Sequence, residues 1–161
     1  MGLLSSLLLH SQTRGYKKRE QKTFTWSFDS STNNLTISGS GQMTNYTSDI
    51  KAPCDEHRDY IEFATIENGI TTIGVFSFRD LKKLTSISIP DSVTSIFYAA
   101  FLGCSNLTSI TIPDSVTFIS SHVFFSCSNL AYINIPDDVT FIGGSAFYMC
   151  SSLKSISLPD S

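Results

Sequence analysis

The chain has 161 residues, of which 41% are hydrophobic and 16% are charged, and its formal net charge is −3. This length and composition predict one small globular domain with a core of its own. The acidic balance argues against nucleic-acid binding, and no stretch of the sequence approaches the roughly 18 consecutive apolar residues that a membrane-spanning helix needs.

The first 22 residues differ in charge from the rest of the chain. They hold five basic residues against one acidic residue, whereas the remainder holds six basic against thirteen acidic. A basic arm on an acidic body is typical of a solvated, disordered segment. Two alternatives stay open. The apolar run Leu3–Leu9 has the character of a signal-peptide remnant, and the start Met-Gly-Leu-Leu-Ser-Ser fits myristoylation at Gly2, with the basic cluster as the second membrane signal.

Residues 23–65 are predicted to form an N-terminal module. Phe24–Phe28 and Leu35–Ser38 alternate apolar and polar residues around a polar turn, a pattern typical of a β-hairpin. We expect Trp26 and Phe28 to pack against the residues that follow the module, so that the hairpin covers the first coil of the next region.

Residues 66–161 are built from a 23-residue unit that recurs four times. The units are Ile66–Ser88, Ile89–Thr111, Ile112–Asn134 and Ile135–Ser157, and a fifth begins at Leu158. A fixed period of this kind predicts a solenoid, in which each unit packs on its neighbours. Seven apolar columns are shared by the units. In the second unit they are Ile89, Val93, Ile96, Phe101, Cys104, Leu107 and Ile110. We expect each column to stack as a ladder inside the molecule.

Each unit contains one predicted strand, which ends at a proline because proline cannot donate to a strand ladder. The predicted strands are Leu84–Ile89, Leu107–Ile112, Leu130–Ile135 and Leu153–Leu158. Identical connections place them in parallel on one face. Val93 and Ile96 begin a return segment, and Ala99–Cys104 has the length of one helical turn, which is too short to be stable alone.

The side chains that flank the inner isoleucine of each strand are predicted to point outward. We call them the hydroxyl strip: Ser86, Ser88, Ser109, Thr111, Tyr132, Asn134, Ser155 and Ser157. The strip carries no charge, and Tyr132 is its only aromatic residue. Two interpretations stay open, a solvated face without function and a partner-binding surface centred on Tyr132 and Asn134.

The residues capable of chemistry do not form a catalytic pattern. Cys104, Cys127 and Cys150 share one inner column, which favours small buried hydrophobic side chains over disulfides or metal ligands. Cys54 and His57 are half of a zinc site, and no second pair lies near them in sequence. The sequence therefore predicts no catalytic residues, no cofactor and no metal. His122 falls in a column of mixed size and polarity, so we expect it to be partly exposed.

The frame Leu-x-x-Ile-x-Ile-Pro-x-x-Val-x-x-Ile, followed by Phe-x-x-Cys, resembles the leucine-rich repeats of the BspA-like family over Ile66–Ser161. The segment Phe24–Met43 and the Ala-Pro that follows also resemble the amino-terminal module of such proteins. Two departures are visible. Cys54 stands where tryptophan is expected, and Phe97 and Ser120 stand where glycine is expected.

The resemblance implies an α/β leucine-rich-repeat solenoid. It would have a parallel β-sheet on one face, short helical or irregular convex segments, and an N-terminal β-hairpin cap. The implied function is a non-catalytic, adhesin-like module on the cell surface or secreted, with a host or matrix protein as ligand. The alternative is a cytoplasmic scaffold, either without an anchor or lipid-anchored at Gly2.

The last unit breaks off soon after Leu158, which leaves an apolar ladder without a cover. Phe147, Leu153 and Ile156 belong to that ladder. An open apolar edge favours pairing. We expect either a longer gene product or end-to-end self-association of two chains at this repeat.

Overall fold

The computed structural model describes residues 24–156. Eleven strands and one 3-10 turn, Pro53–His57, lie within this range. The strands are β1 (Phe24–Asp29), β2 (Asn34–Gly39), β3 (Gly41–Gln42), β4 (Phe63–Ile66), β5 (Ile70–Ile73), β6 (Ser86–Ser88), β7 (Ser95–Ile96), β8 (Ser109–Thr111), β9 (Phe118–Ile119), β10 (Tyr132–Asn134) and β11 (Phe141–Ile142). No helix of the described range is long and apolar enough to cross a membrane.

The strands form two mainly parallel sheets on different sides of the coils. The first sheet has the order β1-β2-β4-β6, and β8 and β10 form a separate parallel pair beside it. The second sheet has the order β3-β5-β7-β9-β11. Residues that pair in β7, β9 and β11 are one repeat apart in sequence: Ser95 pairs with Phe118, and Phe118 pairs with Phe141. The sequence pattern predicts the first face only, because the second sheet contains strands as short as two residues, which have no detectable alternating pattern.

The core contains the predicted ladders. The rings of Phe78, Phe101, Phe124 and Phe147 stack in succession, with centroids 5.2, 5.5 and 5.5 Å apart and interplanar angles of 9° or less. Phe101 and Phe124 are fully buried. Side chains of one size in one column fill the space between coils without gaps, so the prediction of continuous inner ladders is confirmed.

The predicted hairpin is present as the antiparallel pair β1 and β2. Trp26 packs on Phe78 with ring centroids 5.6 Å apart, as expected. Phe28 instead stacks on His57 at 4.6 Å. The 3-10 turn that carries His57 also places Cys54 inside the core.

The strands of the repeats are shorter than predicted. Each of β6, β8 and β10 has three residues, and each ends two residues before the proline that follows it. The described part of the fourth predicted strand, residues 153–156, is not in a strand. Its remaining residues lie outside the described range.

The turns that join the two sheets are irregular within the described repeats, and Ala99–Cys104 does not form a helical turn. Two columns, four residues apart, have positive φ in all four units. The first column holds Phe76, Ala99, His122 and Ser145, and the second holds Asp80, Gly103, Ser126 and Met149. The amide of Phe101, between these columns, donates to the carbonyl of Val123 in the next coil at 2.9 Å. The amides of Ala99 and Gly103 likewise donate to the next coil, whereas those of Ala100, Leu102 and Cys104 donate to the carbonyl three residues earlier. Because every second amide is directed to the next coil, it is not available for a continuous helical hydrogen-bond pattern.

Candidate partner-binding surface

The hydroxyl strip lies on the outer side of the first face. In β6, β8 and β10 the central isoleucine is buried and both neighbours are exposed. Six strip residues are therefore placed as the sequence predicts: Ser86, Ser88, Ser109, Thr111, Tyr132 and Asn134. Ser155 is exposed but not in a strand, and Ser157 lies outside the described residues.

The strip is held in register by main-chain pairing. Tyr132 pairs with Ser109, and Asn134 pairs with Thr111 across the parallel ladder of β8 and β10. Paired strands lie about 4.8 Å apart, so the side chains of neighbouring coils form a continuous surface. The side chain of Tyr132 is the largest on this surface, and the residue is 61% exposed.

A cleft interrupts the strip between β6 and β8. The amide of Thr108 donates to the carbonyl of Thr85 at 3.3 Å, so the two coils are joined just before these strands. Beyond that point β8 belongs to a sheet separate from that of β6. The cleft has a volume of about 320 Å³. Its lining is Ile87, Ser88, Ile89, Asp91, Thr111 and Pro113.

An acidic row follows the strip on the side where the strands end. It consists of Asp91, Asp114, Asp137 and Asp138, all exposed. The ion pairs found within residues 24–156 involve two other acidic residues, Asp55 and Asp80. In this part of the chain the acidic row therefore has no cationic side chain bound to it.

Exposed aromatic side chains lie on the second sheet and the turns, at positions that the repeat pattern does not predict to be functional. Phe118 and Phe141 stack at 5.0 Å on β9 and β11, and Phe141 is 50% exposed. Tyr148, in the turn that follows, is 59% exposed. The sequence contained one signal for Phe118 and Phe141. Their column of the repeat holds polar residues, Thr72 and Ser95, in the first two units. Stacked rings present edges rather than faces to solvent, so these two phenylalanines do not form a flat platform.

A second, smaller cavity of about 90 Å³ lies between the 3-10 turn and the first unit. Lys51, Arg58 and Arg79 line it. Arg58 and Lys51 both pair with Asp55, and Arg79 pairs with Asp80. Because the cations are already paired with carboxylates, the cavity does not offer a free positive charge to an anion.

The cysteines are free and buried, as the sequence predicts for Cys104, Cys127 and Cys150. Each of these thiols donates to the carbonyl of the phenylalanine 26 residues earlier, over 3.1 to 3.2 Å. Burial raises the pKa of all three thiols above the ordinary value. A protonated thiol is a poor nucleophile and a poor metal ligand, so these side chains serve packing.

Cys54 and His57 do not converge on one point. The Cys54 thiol contacts the carbonyl of Ser77 at 3.5 Å, and burial raises its pKa to about 12. His57 is stacked on Phe28. Among residues 24–156, no group of three or more His, Cys, Asp and Glu side chains is placed to hold a metal ion. His122 is half-buried, as expected for its column, with its ring 5.3 Å from that of Tyr98.

Parallel sheets built from short repeats with few helices, together with an exposed polar strip, define a leucine-rich-repeat protein. The family model of a BspA type leucine-rich repeat region matches residues 48–161 in six copies. This match covers well over half of the sequence, so the chain belongs to the BspA-type leucine-rich-repeat family. Proteins with such repeats generally take part in protein interactions and are typically non-catalytic.

Solved structures with the same fold come from several bacteria. A leucine-rich repeat protein from Eubacterium ventriosum is 26% identical, with a TM-score of 0.67 over 86% of this chain and 42% of that chain. The Treponema pallidum leucine-rich repeat protein is 24% identical, with a TM-score of 0.64 over 89% and 72%. A leucine rich cell surface protein from Faecalibacterium prausnitzii is 23% identical, with a TM-score of 0.64 over 88% and 40%.

The chain thus spans less than half the length of the Eubacterium and Faecalibacterium proteins. Among curated proteins, none matches this chain.

Proposed function

We propose that this protein is a non-catalytic interaction module that binds a protein ligand through the hydroxyl strip, as an adhesin-like protein on the cell surface or secreted. The observation that carries the proposal is the regular exposure of the strip around Tyr132, on strands whose central isoleucines are buried. A rigid, uncharged surface with one exposed aromatic side chain has the chemistry of a protein-binding face, since tyrosine is enriched at the centre of interfaces.

The chemistry of the described residues supports a non-catalytic role. The four buried thiols have raised pKa values, so they are protonated at neutral pH. The strip itself combines hydroxyls, one phenol and one amide, without a base to activate a hydroxyl. Its side chains therefore suit hydrogen bonding to a partner.

The proposal also assigns a role to the hairpin. We infer that β1 and β2 shield the apolar end of the first coils, because β2 pairs with β4 and Trp26 packs on Phe78. A repeat array needs a covered end to remain in solution.

A matched pair of tyrosine variants tests the binding surface. Tyr132 and Tyr148 are exposed to nearly the same extent, 61% and 59%, but only Tyr132 belongs to the strip. Three proteins are compared: the unchanged full chain, the Tyr132→Ala variant and the Tyr148→Ala variant. Their binding to a panel of immobilised extracellular-matrix proteins is measured by surface plasmon resonance. We expect Tyr132→Ala to weaken binding at least about tenfold, as for an interface hot spot, and Tyr148→Ala to leave it within about twofold. Equal losses, or no loss with Tyr132→Ala, would contradict the proposal.

The location of the protein is tested separately on intact cells that produce it naturally. Surface biotinylation and external protease should reach a surface protein, and a secreted protein should be recovered from the medium. Protection from both reagents, with all of the protein inside the cell, would exclude the adhesin role and favour a cytoplasmic scaffold.

A further inference from the structure

The cleft between β6 and β8 has two kinds of lining that complement one type of side chain. Its apolar part is formed by Ile87, Ile89 and Pro113. Its polar part is formed by the Ser88 and Thr111 hydroxyls and the Asp91 carboxylate. A long aliphatic stem with a cationic end satisfies both, because lysine and arginine lay their methylene groups on apolar surface while the charge stays at a polar rim.

We propose that this cleft receives a lysine or arginine side chain from an extended segment of the partner protein. The inference rests on the proposed function, because the cleft opens within the hydroxyl strip between Ser88 and Thr111. The stem lies on the isoleucines, and the cationic group donates hydrogen bonds to the Asp91 carboxylate and the neighbouring hydroxyl oxygens. An arginine offers five such donors and a lysine offers three.

The charge of the surface supports this occupant. Asp91 is exposed and belongs to the acidic row, which continues through Asp114 and Asp137 in the next two coils. Stacked coils repeat every 4.8 Å or so, so the row places one or more negative charges per coil along the edge of the strip. Outside the basic first 22 residues the chain holds six basic residues against thirteen acidic ones. A basic partner segment is attracted to such a surface, and an acidic one is repelled.

The opening of the sheet at this place gives the side chain room. At β8 and β10 the strands are paired, with Ile133 beside Ile110, so no space remains between the coils. Between β6 and β8 the strands themselves are not paired. The coils are hydrogen-bonded before the strands, from the Thr108 amide to the Thr85 carbonyl, and after them, from the Ser115 hydroxyl to the Val93 carbonyl at 2.6 Å. The cleft of about 320 Å³ is large enough for one long side chain. The partner therefore has one inserted basic residue, and its neighbours follow the acidic row.

Binding of a defined peptide tests the inference. The probe is a fluorescent seven-residue peptide with arginine at three alternate positions and threonine elsewhere, and its neutral control has glutamine for arginine. Affinity for the full chain is measured by fluorescence anisotropy at low and physiological salt. We expect the arginine peptide to bind, with an affinity that falls as salt rises, and the glutamine peptide to bind at least about tenfold more weakly, as expected for loss of a charge-assisted hydrogen bond.

Charge-matched variants separate a specific site from general attraction. D91N/D114N/D137N removes three charges from the acidic row, and D49N/E56Q/D59N removes three exposed charges from the N-terminal module. The first variant should weaken arginine-peptide binding at least about tenfold, and the second by less than about threefold. The single change D91N should account for most of the loss, since Asp91 lines the cleft. All these residues are exposed, and unchanged melting curves verify that the variants fold.

The remaining outcomes decide between the alternatives. Equal losses in the two triple variants, or no binding of the arginine peptide, would overturn the inference. A further variant changes the five basic residues of the first segment to glutamine: Arg14, Lys17, Lys18, Arg19 and Lys22. Tighter binding of the arginine peptide to this variant would show that the chain's own basic segment occupies the surface, and would overturn the assignment to a partner. If the arginine peptide does not bind, but Tyr132→Ala still weakens binding to a matrix protein, the proposal of an inserted basic side chain is rejected. The proposed function of the hydroxyl strip is then retained.

Discussion

Backbone conformation at single residues is set by contacts with the neighbouring coil. Gly103 has a φ of 74°, in a column that in other units holds Asp80, Ser126 and Met149. An L-residue tolerates this region at a cost of about 1 kcal/mol. At Gly103 there is an additional constraint, because an added Cβ would lie 2.3 Å from the Asp80 Oδ1 atom.

The first prediction concerns this column. Gly103→Ala should lower the free energy of unfolding by roughly 1–2 kcal/mol, from the left-handed conformation and the displacement of the Asp80 side chain. Ser126→Gly makes the reverse change at a φ of 61°, so it should be neutral or stabilising. Urea denaturation of both variants is the measurement. Equal destabilisation by the two substitutions would mean that φ is not the controlling factor.

The second prediction follows from the weakly acidic side chains that are buried in the core, which are cysteine thiols and the phenol of a tyrosine. Burial raises the pKa of Cys54 and of Tyr46 to about 12 and raises the pKa of Cys104. In the unfolded chain a thiol ionises near pH 8.5 or so. Between about pH 9 and 12 the unfolded state therefore loses protons that the folded state keeps. The stability contributed by these groups is complete below pH 8 or so, and it is lost as pH rises through this window.

Chemical denaturation from pH 7 to 11 under reducing conditions measures this dependence. The free energy of unfolding should fall on the alkaline side, and Cys127→Ala should make the fall shallower by removing one buried thiol. Iodoacetamide should leave the folded protein unmodified at pH 8 and alkylate the cysteines in urea. An unchanged slope in Cys127→Ala would contradict the role assigned to burial.

At the scale of the element, each strand depends on its place in a ladder more than on its own length. Strands of two or three residues have few hydrogen bonds and little intrinsic stability. Their stability comes from the columns beneath them, above all from the stack of Phe78, Phe101, Phe124 and Phe147. A break in this stack should therefore affect several coils at once.

The third prediction contrasts an inner and an outer position. Phe124→Asp places an unpaired charge between two rings at 5.5 Å and should abolish cooperative thermal melting. Ser109→Asp, on the exposed hydroxyl strip, should change stability by no more than about 0.5 kcal/mol. Circular dichroism melts compare the two. Similar effects would mean that the inner and outer columns are assigned wrongly.

The fourth prediction concerns the opening between β6 and β8. Asn134 is paired with Thr111 in the ladder of β8 and β10, whereas β8 has no corresponding ladder with β6 among the described strands. The amide of Thr111 should therefore exchange its hydrogen at least about tenfold faster than the amide of Asn134, which holds the same column. Hydrogen exchange followed by NMR gives both rates. Equal protection would indicate that the cleft is closed in solution.

At the scale of the whole molecule, coils are joined in two directions. Amides of the strip side donate to the preceding coil, as from Thr85 to the Glu62 carbonyl at 2.8 Å. Amides of the turns donate to the following coil, as from Phe124 to the Ala146 carbonyl at 2.8 Å. Each inner coil of the described repeats is thus hydrogen-bonded to both of its neighbours.

Much of this arrangement could be predicted from the sequence. The repeat of 23 residues identified the inner columns and the outward side of β6, β8 and β10, because identical residues at a fixed period stack in the same register. The hairpin was predicted separately, from the alternation of apolar and polar residues in β1 and β2. Five residues, 99–101 and Phe118–Ile119, adopt structures that the local sequence pattern does not indicate. Their structure is governed by hydrogen bonds to residues about one repeat away, which local propensity does not report.

The sequence by itself determined the family, the ladders and the exposed hydroxyl strip, since these follow from periodicity and side-chain size. Only the tertiary structure decided the second sheet, the row of exposed aromatic side chains and the cleft that brings Asp91 beside Ser88 and Thr111. The physical reason is that periodicity specifies which residues share a column, whereas the distance and pairing between neighbouring columns depend on how the coils pack.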